Sequence, residues 1–348
     1  MDDTAWHAFL TSRGGQLQGG RVQAFAGLPE EVEALGSAGL VPLFGSTPLR
    51  LTGADRLEFL HGQVSNEVKR LGVGDARAAL MLNVRGHALA LMRLYRREDD
   101  LFVAVEGGAG ERVEAQLGAH IIFDQVELHN LTGTLQSLTL QGEAAGEVLQ
   151  RALHAELPEA DRFVQVPFEG AKVLVSRVAR SAPGGFDLHV LTQDARALVE
   201  ALEGAGAKLV GERALAAARV AAGIAEAALE GGEGVLPQEA GLEYAVSYRK
   251  GCYLGQEIMA RIEARGNVRR RLVGLRLESV PPEGARELLA EGKVVGRLGT
   301  VAEHPQLGTV ALASVRHEVG AGAPLLVGGV SATVAPLPFE TAAQYTSR

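Results

Sequence analysis

The stretch RKGCYLGQEIMARIEARG, residues 249–266, contains the only cysteine of the chain. Its pattern predicts a helix from Gly255 to Ala264, which places Cys252 just outside a helix N-terminus. The partial positive charge at that end, together with the nearby ammonium of Lys250, favours the reactive thiolate. Cys252 is therefore a candidate nucleophile or redox group, and Lys250 is the residue that activates it. The alternative is a buried and inert thiol, since lone cysteines often pack as small hydrophobic residues.

The loop that leads to this cysteine, residues 237–257, is dense in side chains that donate or accept hydrogen bonds. Loops of this kind can line ligand pockets. For Glu239 and Glu243 a second interpretation stays open, because their i, i+4 spacing also suits a solvent-facing pair on a helix. The residues alone thus predict a ligand loop around Cys252 and identify no reaction.

Basic side chains concentrate in the same part of the chain. Residues 249–276 hold eight lysines and arginines against two glutamates, a local charge of +6 in a molecule of net charge −8. Such a patch indicates a site for an anionic ligand, such as a carboxylate-bearing cofactor tail or RNA phosphates. A solvated surface is the alternative interpretation. The acidic pI of 5.7 argues against a general nucleic-acid binder.

Length and composition describe an ordinary globular protein. The chain has 348 residues, of which 47% are hydrophobic, and this length predicts two or three domains. It contains neither a run of roughly 18 apolar residues nor the features of a secretory signal, so we expect a cytoplasmic protein. One cysteine cannot form an internal disulfide or hold an iron–sulfur cluster alone, and no histidine spacing indicates a resident metal.

An internal repeat organises the first two thirds of the chain. LRLTGADRLEFL, residues 49–60, reads as a strand, a glycine and a helix, and it recurs as LTLQGEAAGEVL at residues 138–149. A β-rich stretch and then a strand, a loop and a helix follow each copy. Two units of β-α-β-β-α-β type are therefore predicted, which is the split βαβ or ferredoxin-like pattern.

The remainder of the chain has a different sequence pattern. Residues 205–267 are rich in helical pattern, and short strands separated by turn signals follow Gly266, as in a small all-β barrel. The fold class predicted is α+β. The predicted domains are an N-terminal helix with loops (1–37), a first ferredoxin-like unit (38–137), a second unit with the helical segment and the cysteine loop (138–267), and a C-terminal barrel (268–348).

The octapeptide KGCYLGQE resembles the signature of YgfZ-type folate-binding proteins, relatives of the glycine-cleavage T-protein, an aminomethyltransferase. Residues 51–68, 219–242 and 261–278 are similar to segments of the same family in the same order. The resemblance covers roughly residues 38–340. It implies that the two ferredoxin-like units and the barrel form a ring with a central hole.

The resemblance also implies a function, namely binding of tetrahydrofolate or a one-carbon derivative of it. The expected role is support of iron–sulfur cluster assembly or repair, and of iron–sulfur enzymes that modify tRNA, with iron–sulfur assembly proteins or enzymes as partners. Arg261 and the run Arg269–Arg271 are expected to face the ligand tail or a partner. The residues expected to bind the cofactor are Tyr253, Gln256, Glu257, Arg261, Glu239 and Asp187.

Two positions depart from the transferase pattern. Ala90 stands where aminomethyltransferases carry an aspartate, and Pro183 stands where they carry a carboxylate expected to hold the pterin. Alanine cannot act as an acid or a base, so glycine-cleavage chemistry loses that group. Two alternatives stay open at this point. One is a folate-dependent aminomethyltransferase or demethylase that uses another base, such as Glu239 or Asp187, and the other is an RNA-binding module that uses the basic patch.

Overall fold

The computed structural model describes residues 3–266 and 268–339, which form two sheets, a closed barrel and connecting helices. No helix in these two ranges is long and apolar enough to cross a membrane. The N-terminal segment contains α1 (Asp3–Ser12), β1 (Gln16–Gln18), β2 (Arg21–Ala24), α2 (Leu28–Ser37) and β3 (Gly39–Pro42).

The first sheet is built from five strands in the spatial order β5-β6-β7-β4-β8, and all neighbouring strands are antiparallel. Two helices cover one face, because Leu60, Val113 and Leu117 are fully buried against strand residues such as Leu49 and Met92. The elements are β4 (Thr47–Thr52), α3 (Arg56–Gln63), β5 (Ala76–Leu82), β6 (Ala88–Arg96), β7 (Leu101–Val105), α4 (Gly110–His120) and β8 (Glu127–Asn130).

The second sheet repeats this order of elements with one strand added. Its strands are arranged β10-β11-β12-β9-β3-β13, so β3 of the N-terminal segment lies between β9 and β13. Strand β3 falls in the range 38–137 predicted for the first unit, but its hydrogen bonds are made to the second. The elements are β9 (Leu135–Gln141), α5 (Ala145–Leu153), β10 (Phe163–Phe168), β11 (Ala171–Arg177), β12 (Gly185–Leu191), α6 (Thr192–Gly204) and β13 (Lys208–Leu209).

The glycine shared by the two sequence repeats has one structural role. Gly53 between β4 and α3 and Gly142 between β9 and α5 both have a positive φ, of 99° and 126°. A Cβ atom at either position would lie about 2 Å from a backbone carbonyl oxygen, at Gln125 and Ser37 respectively. Only glycine fits such a position, so the repeat predicted from the sequence is a repeat of structure.

Three helices connect the second sheet to the barrel: α7 (Glu212–Ala222), α8 (Ala227–Glu230) and α9 (Gln256–Arg265). The apolar pattern favours one helix over residues 212–229, but α7 ends at Ala222 because Gly223 takes a left-handed conformation. Helix α9 is as predicted, with left-handed Gly266 directly after it. Val220 of α7 packs on the outside of the barrel with Val310 and Leu312.

The C-terminal domain is a closed six-stranded barrel, which confirms the fold predicted from the strand rhythm. Its strands follow one another in the order β14-β17-β16-β15-β18-β19, and β19 pairs with β14 to close it. The strands are β14 (Arg270–Leu277), β15 (Glu287–Ala290), β16 (Lys293–His304), β17 (Gly308–Arg316), β18 (Pro324–Val327) and β19 (Val330–Ala335).

Candidate functional site

A cavity of about 230 Å³ lies where the two sheets, the barrel and the N-terminal hairpin meet. The first sheet contributes Arg93 of β6 and Glu106 after β7, and the second contributes Arg180 after β11. The barrel contributes Thr300 of β16, and the hairpin contributes Arg21. The cavity therefore lies at the junction of the two sheets and the barrel.

Strand β6 supplies one wall of the central cavity through Leu91 and Arg93. Successive strand residues point to opposite faces, so Ala90 points away from the cavity and packs in the core beneath α3 and α4. Neither Ala90 nor its cavity-facing neighbour Leu91 carries a carboxylate. Pro183, the second departure from the transferase pattern, is exposed and does not line the cavity.

A buried chain of four charges crosses from one sheet to the other. Asp187 of β12 accepts hydrogen bonds from Arg180 Nε at 2.9 Å and Nη2 at 2.7 Å. Arg180 also donates to Glu106 from Nη1 at 3.3 Å and from Nη2 at 3.1 Å, and Arg93 Nε donates to Glu106 at 2.8 Å. Two arginines thus alternate with two carboxylates, and each carboxylate is held by at least two donated hydrogen bonds.

This pairing keeps Glu106 ionised. Burial alone raises the pKa of Glu106, but the guanidinium groups of Arg180 and Arg93 outweigh it and bring the pKa down to about 2. A carboxylate with so low a pKa is a poor proton acceptor near neutral pH. Glu106 is therefore suited to holding the two sheets together at the cavity wall.

A second carboxylate of the cavity, that of Glu226, is not held in this way. Its closest charged partner is Arg219, whose Nε lies 3.8 Å from Oε2, and no described residue donates a hydrogen bond to its side chain. Burial raises the pKa of Glu226. The carboxylate of Glu226 at the cavity wall thus retains the capacity to accept hydrogen bonds from a ligand.

A buried bridge attaches the barrel to the helices beside the cavity. Glu230 at the end of α8 accepts hydrogen bonds from the Thr300 amide at 2.7 Å and from Arg219 Nη1 at 3.1 Å. Arg219 Nη2 donates to the Thr300 hydroxyl at 2.5 Å. These contacts hold helices α7 and α8 against strand β16, which fixes the position of the neighbouring Glu226.

The side chain of Lys250, from the cysteine loop, packs against the C-terminal end of helix α3. Its buried ammonium donates to the backbone carbonyls of His61, Val64 and Asn66, the last two at 2.6 and 3.1 Å. The last carbonyls of a helix lack partners within it, and a cation there also interacts favourably with the helix dipole. Burial lowers the pKa of Lys250 to about 8. Lys250 thus fastens the cysteine loop to the first unit.

Cys252 is exposed, unlike the buried thiol that was the alternative interpretation. Gly251 before it lies beside His61, since a Cβ atom there would be 3.7 Å from His61 Nε2. Gly255 after it, with a φ of 86°, packs where a Cβ atom would lie 2.7 Å from the Asn83 carbonyl oxygen. The loop is therefore held against the first unit on both sides of an accessible thiol.

The other predicted site residues occupy several environments. Tyr253 is buried, with its ring centre 4.7 Å from Lys250 Nζ, and burial raises its pKa to about 12. Gln256 begins α9, where Glu257 and Arg261 form an exposed ion pair of 2.5 Å. Glu239 is buried, and its carboxylate accepts a hydrogen bond of 3.2 Å from the backbone amide of Leu236.

None of the eight predicted site residues lines the central cavity. Asp187 comes nearest in function, because it holds the cavity residue Arg180. The charged cavity residues that sequence reasoning missed are Arg21, Arg93, Glu106, Arg180, Glu212, Arg219 and Glu226. One signal was available for Arg93, an arginine in the otherwise apolar stretch ALALMRLY of residues 88–95. Nothing in the local pattern distinguishes the others.

Acid destabilisation is expected from a buried histidine between the two sheets. His189 packs on Tyr95 and Phe102, its Nδ1 lies 2.9 Å from Ser137 Oγ, and burial lowers its pKa from 6.5 to about 4. The unfolded chain binds the proton between those two values, so stability falls as the pH drops through that window. Between pH 7 and pH 5 this residue alone should cost about 2 kcal/mol.

Urea unfolding of the protein and of the variant His189→Asn at both pH values checks this expectation. The variant starts from a lower stability but should lose about 2 kcal/mol less on acidification. Equal losses in the two proteins would show that His189 is not the titrating group.

Comparisons with known proteins agree with this architecture. The chain matches the GCVT N-terminal domain over residues 12–250 and the CAF17 C-terminal β-barrel domain over residues 269–339. The aminomethyltransferase of Geobacillus kaustophilus is 32% identical over 90% of this chain and 91% of its own. That of Halalkalibacterium halodurans is 30% identical over 84% of this chain and 87% of its own.

Solved structures give the same result for the fold. The glycine cleavage system aminomethyltransferase T from Bartonella henselae is similar with a TM-score of 0.83 and 21% identity, and the match covers 96% of this chain and 97% of that one. The predicted resemblance is thereby confirmed. The chain belongs to the glycine-cleavage T-protein superfamily and has the architecture of its YgfZ/CAF17 family, in which a GCVT N-terminal domain precedes a CAF17 β-barrel.

Proposed function

We propose that this protein binds tetrahydrofolate in the central cavity and acts as an accessory factor for iron–sulfur proteins in the cytoplasm, including those that modify tRNA. The observation that carries the proposal is the carboxylate of Glu226, whose nearest cation is Arg219 at 3.8 Å and to which no described residue donates a hydrogen bond. It lies in a cavity lined also by arginines, by the carboxylates of Glu106 and Glu212 and by apolar side chains. The GCVT and CAF17 domains in one chain support it.

The cavity residues fit the pterin head of a folate. The edge of a pterin presents a ring N–H beside an amino group, two parallel donors that a carboxylate accepts together. Glu226 supplies that acceptor, and Leu91, Leu215 and Leu229 supply apolar walls. About 230 Å³ lies below the usual 300–1,000 Å³ of a ligand site, so the head would fill the cavity and the rest of the molecule would extend from it.

The rival function is a folate-dependent aminomethyltransferase or demethylase, which the names of the similar proteins favour. Bound folate would supply the one-carbon acceptor for that chemistry. The chain would have to supply a base, but Ala90 and Leu91 are apolar and Glu106 and Asp187 are held by arginines. A further carboxylate, that of Glu226, would be taken up by the edge of the pterin in the proposed binding mode. These contacts support binding without transfer. Turnover of a methylamine donor with tetrahydrofolate would establish the rival instead.

The thiol of Cys252 is proposed as the group that acts on a partner. It is exposed on a loop that Lys250 anchors, whereas the folate head lies in the cavity. Tyr253 and Gln256 then position the loop, and Glu257 and Arg261 face the partner. In this arrangement the partner supplies the ligands of the cluster, because a single thiol cannot hold one.

Replacing Glu226 by glutamine is expected to weaken tetrahydrofolate binding by roughly 10- to 100-fold. The glutamine side chain keeps one acceptor oxygen, but its NH₂ group faces a donor of the pterin where the carboxylate had an acceptor. The hydrogen bonds lost, which are made to a charged group, are worth about 1.5–3 kcal/mol. Calorimetric titration with reduced folate measures the effect. The matched control is Glu233→Gln, which makes the same charge change at an exposed residue outside the cavity. Equal affinities in the two variants would exclude Glu226 from the site.

A further inference from the structure

The guanidinium of Arg219, on α7, lies between two carboxylates of the segment that follows this helix. Its Nη1 donates to the carboxylate of Glu230 at 3.1 Å, whereas its Nε lies 3.8 Å from Oε2 of Glu226. The first distance is within the usual range of a hydrogen bond and the second is well outside it. The cation is therefore bound by Glu230 and only approached by Glu226, the carboxylate at the central cavity.

Several contacts keep the Arg219 guanidinium on the Glu230 side. Nη1 also donates to the Ile224 carbonyl at 2.7 Å, and Nη2 donates to the Thr300 hydroxyl at 2.5 Å. The Thr300 amide and hydroxyl both donate to Glu230 in turn. Arg219 is 7% exposed and Glu230 is 5% exposed, so little water competes for these hydrogen bonds. Both terminal nitrogens of the guanidinium are thus occupied, and Nε is the atom that approaches Glu226.

Glu226 is held close to this arginine by its backbone. Its amide donates to Glu230 at 2.7 Å, so the glutamate that binds Arg219 also fixes the main chain of Glu226. On the other side the carboxylate lies against Gly107, where a Cβ atom would be 2.8 Å from Oε1. A movement of about 1 Å would bring Oε2 and the Arg219 Nε to ordinary hydrogen-bond distance. The two groups are separate because Glu230 binds the arginine.

The charge of Glu226 depends on several groups around it. Burial has the largest effect and raises the pKa of its carboxyl, Arg219 lowers that pKa, and Glu230 raises it. The charged groups that act on it come from four parts of the fold: Arg219 and Glu212 of α7, Glu230 of α8, Glu106 after β7 and Arg180 after β11. Glu230 therefore acts on Glu226 in two ways, through its own charge and through its hold on Arg219.

We propose that Glu230 is a positioning residue of the central cavity, which binds Arg219 and so keeps the carboxylate of Glu226 available to the N–H donors of a ligand. The inference rests on the proposed role of Glu226 in folate binding, and it assigns the residue that controls that role. Without the charge of Glu230, Arg219 pairs with Glu226, the other carboxylate beside it. A ligand then has to displace a guanidinium before it can bind.

Calorimetric titration of tetrahydrofolate into two variants of Glu230 separates the effect of its charge from that of its size. Glu230→Gln keeps the size and removes the charge, and its affinity should fall by roughly tenfold or more. Glu230→Asp keeps the charge on a shorter side chain, and its affinity should stay within about threefold of that of the unmodified protein. The control Glu233→Gln makes the same charge change at an exposed residue outside the cavity and should leave affinity unchanged.

A double variant distinguishes this role from that of a structural bridge. Arg219→Gln together with Glu230→Gln removes the cation along with its partner, and a buried site tolerates two neutral side chains better than one unpaired charge. With no cation left to pair with Glu226, affinity should recover to within about threefold of that of the unmodified protein. If Glu230 served only to hold α7 and α8 against the barrel, the double variant would bind no better than Glu230→Gln.

A measurement without ligand tests the same inference independently of folate. Carbon NMR of protein labelled at its glutamate carboxyls follows the titration of each group, and the Glu226 signal is assigned by its loss in Glu226→Gln. A cation beside a carboxylate stabilises the ionised form and lowers its pKa. Glu226 should therefore titrate at lower pH in Glu230→Gln than in the unmodified protein, and at higher pH again in the double variant.

The outcomes separate this inference from the proposed function. An unchanged Glu226 titration in Glu230→Gln, or a larger loss of affinity in Glu230→Asp than in Glu230→Gln, would overturn the positioning role and leave folate binding in place. If the unmodified protein binds no folate but the Glu226 titration moves as expected, the positioning role stands and the folate proposal is wrong. A loss of more than about tenfold in Glu230→Asp would contradict the inference even if Glu230→Gln did not fold.

Discussion

Replacement of Arg180 by methionine is expected to lower the free energy of unfolding by about 3–5 kcal/mol, the cost of breaking a buried ion pair. The side chain of Arg180 joins Asp187 to Glu106, and Asp187 is 1% exposed. Without the guanidinium, the buried carboxylate of Asp187 has no cation beside it. Urea unfolding measures the loss, and Arg112→Met, at an exposed position of α4, should change stability by less than about 0.5 kcal/mol.

A second substitution distinguishes a lost ion pair from lost packing. In the Arg180→Met background, Asp187→Asn removes the unpaired charge, while Glu106 still has Arg93 at 2.8 Å. The double variant should therefore recover part of the stability. A single-variant loss below about 1 kcal/mol, or a further loss in the double variant, would contradict the role assigned to the charge network.

Cys252→Ser is expected to abolish the proposed support of iron–sulfur enzymes. Serine matches the thiol in size but is neither a thiolate nor a soft metal ligand near neutral pH. Because the side chain is exposed, the free energy of unfolding should change by less than about 0.5 kcal/mol. The measurement is the activity of an iron–sulfur tRNA-modifying enzyme in a deletion strain that carries the variant.

Lys250→Met provides the companion to this variant. It removes the ammonium that three carbonyl groups share, so the loop should loosen and enzyme support should fall even though Cys252 is present. Folate affinity should be unaffected by Cys252→Ser, since the thiol lies outside the cavity lining. Full activity of the iron–sulfur enzyme in a strain that carries Cys252→Ser would show that the thiol of Cys252 is not required.

Much of the fold could be predicted from the sequence because its signals are local. The paired glycines Gly53 and Gly142 stand between a strand and a helix in both units, and each strand of the barrel has its own turn signals. Strand β3 could not be placed in the same way. Its four residues give no sign that they pair with β9, about 100 residues later, because β-pairing partners are set by tertiary structure.

The central cavity could not be predicted for a related reason. Arg93, Arg180 and Glu226 are far apart in the chain, and only the packing of two sheets against a barrel brings them together. The conspicuous cysteine loop drew attention to Lys250, whose spacing to Cys252 suggests activation of the thiol. The structure shows that its ammonium instead contacts backbone carbonyls of Val64 and Asn66 in the first unit, 186 and 184 residues earlier in the chain. Residues that are close in sequence have backbones that are close in space. The direction of a long side chain such as that of Lys250, however, depends on the groups that pack around it in the folded protein.

Hydrogen exchange with and without saturating tetrahydrofolate tests the central claim most directly, because it reports both binding and its location. Folate in the central cavity should slow exchange in β6 and in residues 224–231, which carry Leu91, Arg93 and Glu226. The barrel strands that are remote from the cavity should exchange as before. Protection confined to those two segments is the predicted result, and no change at millimolar folate, or protection elsewhere only, would contradict the account.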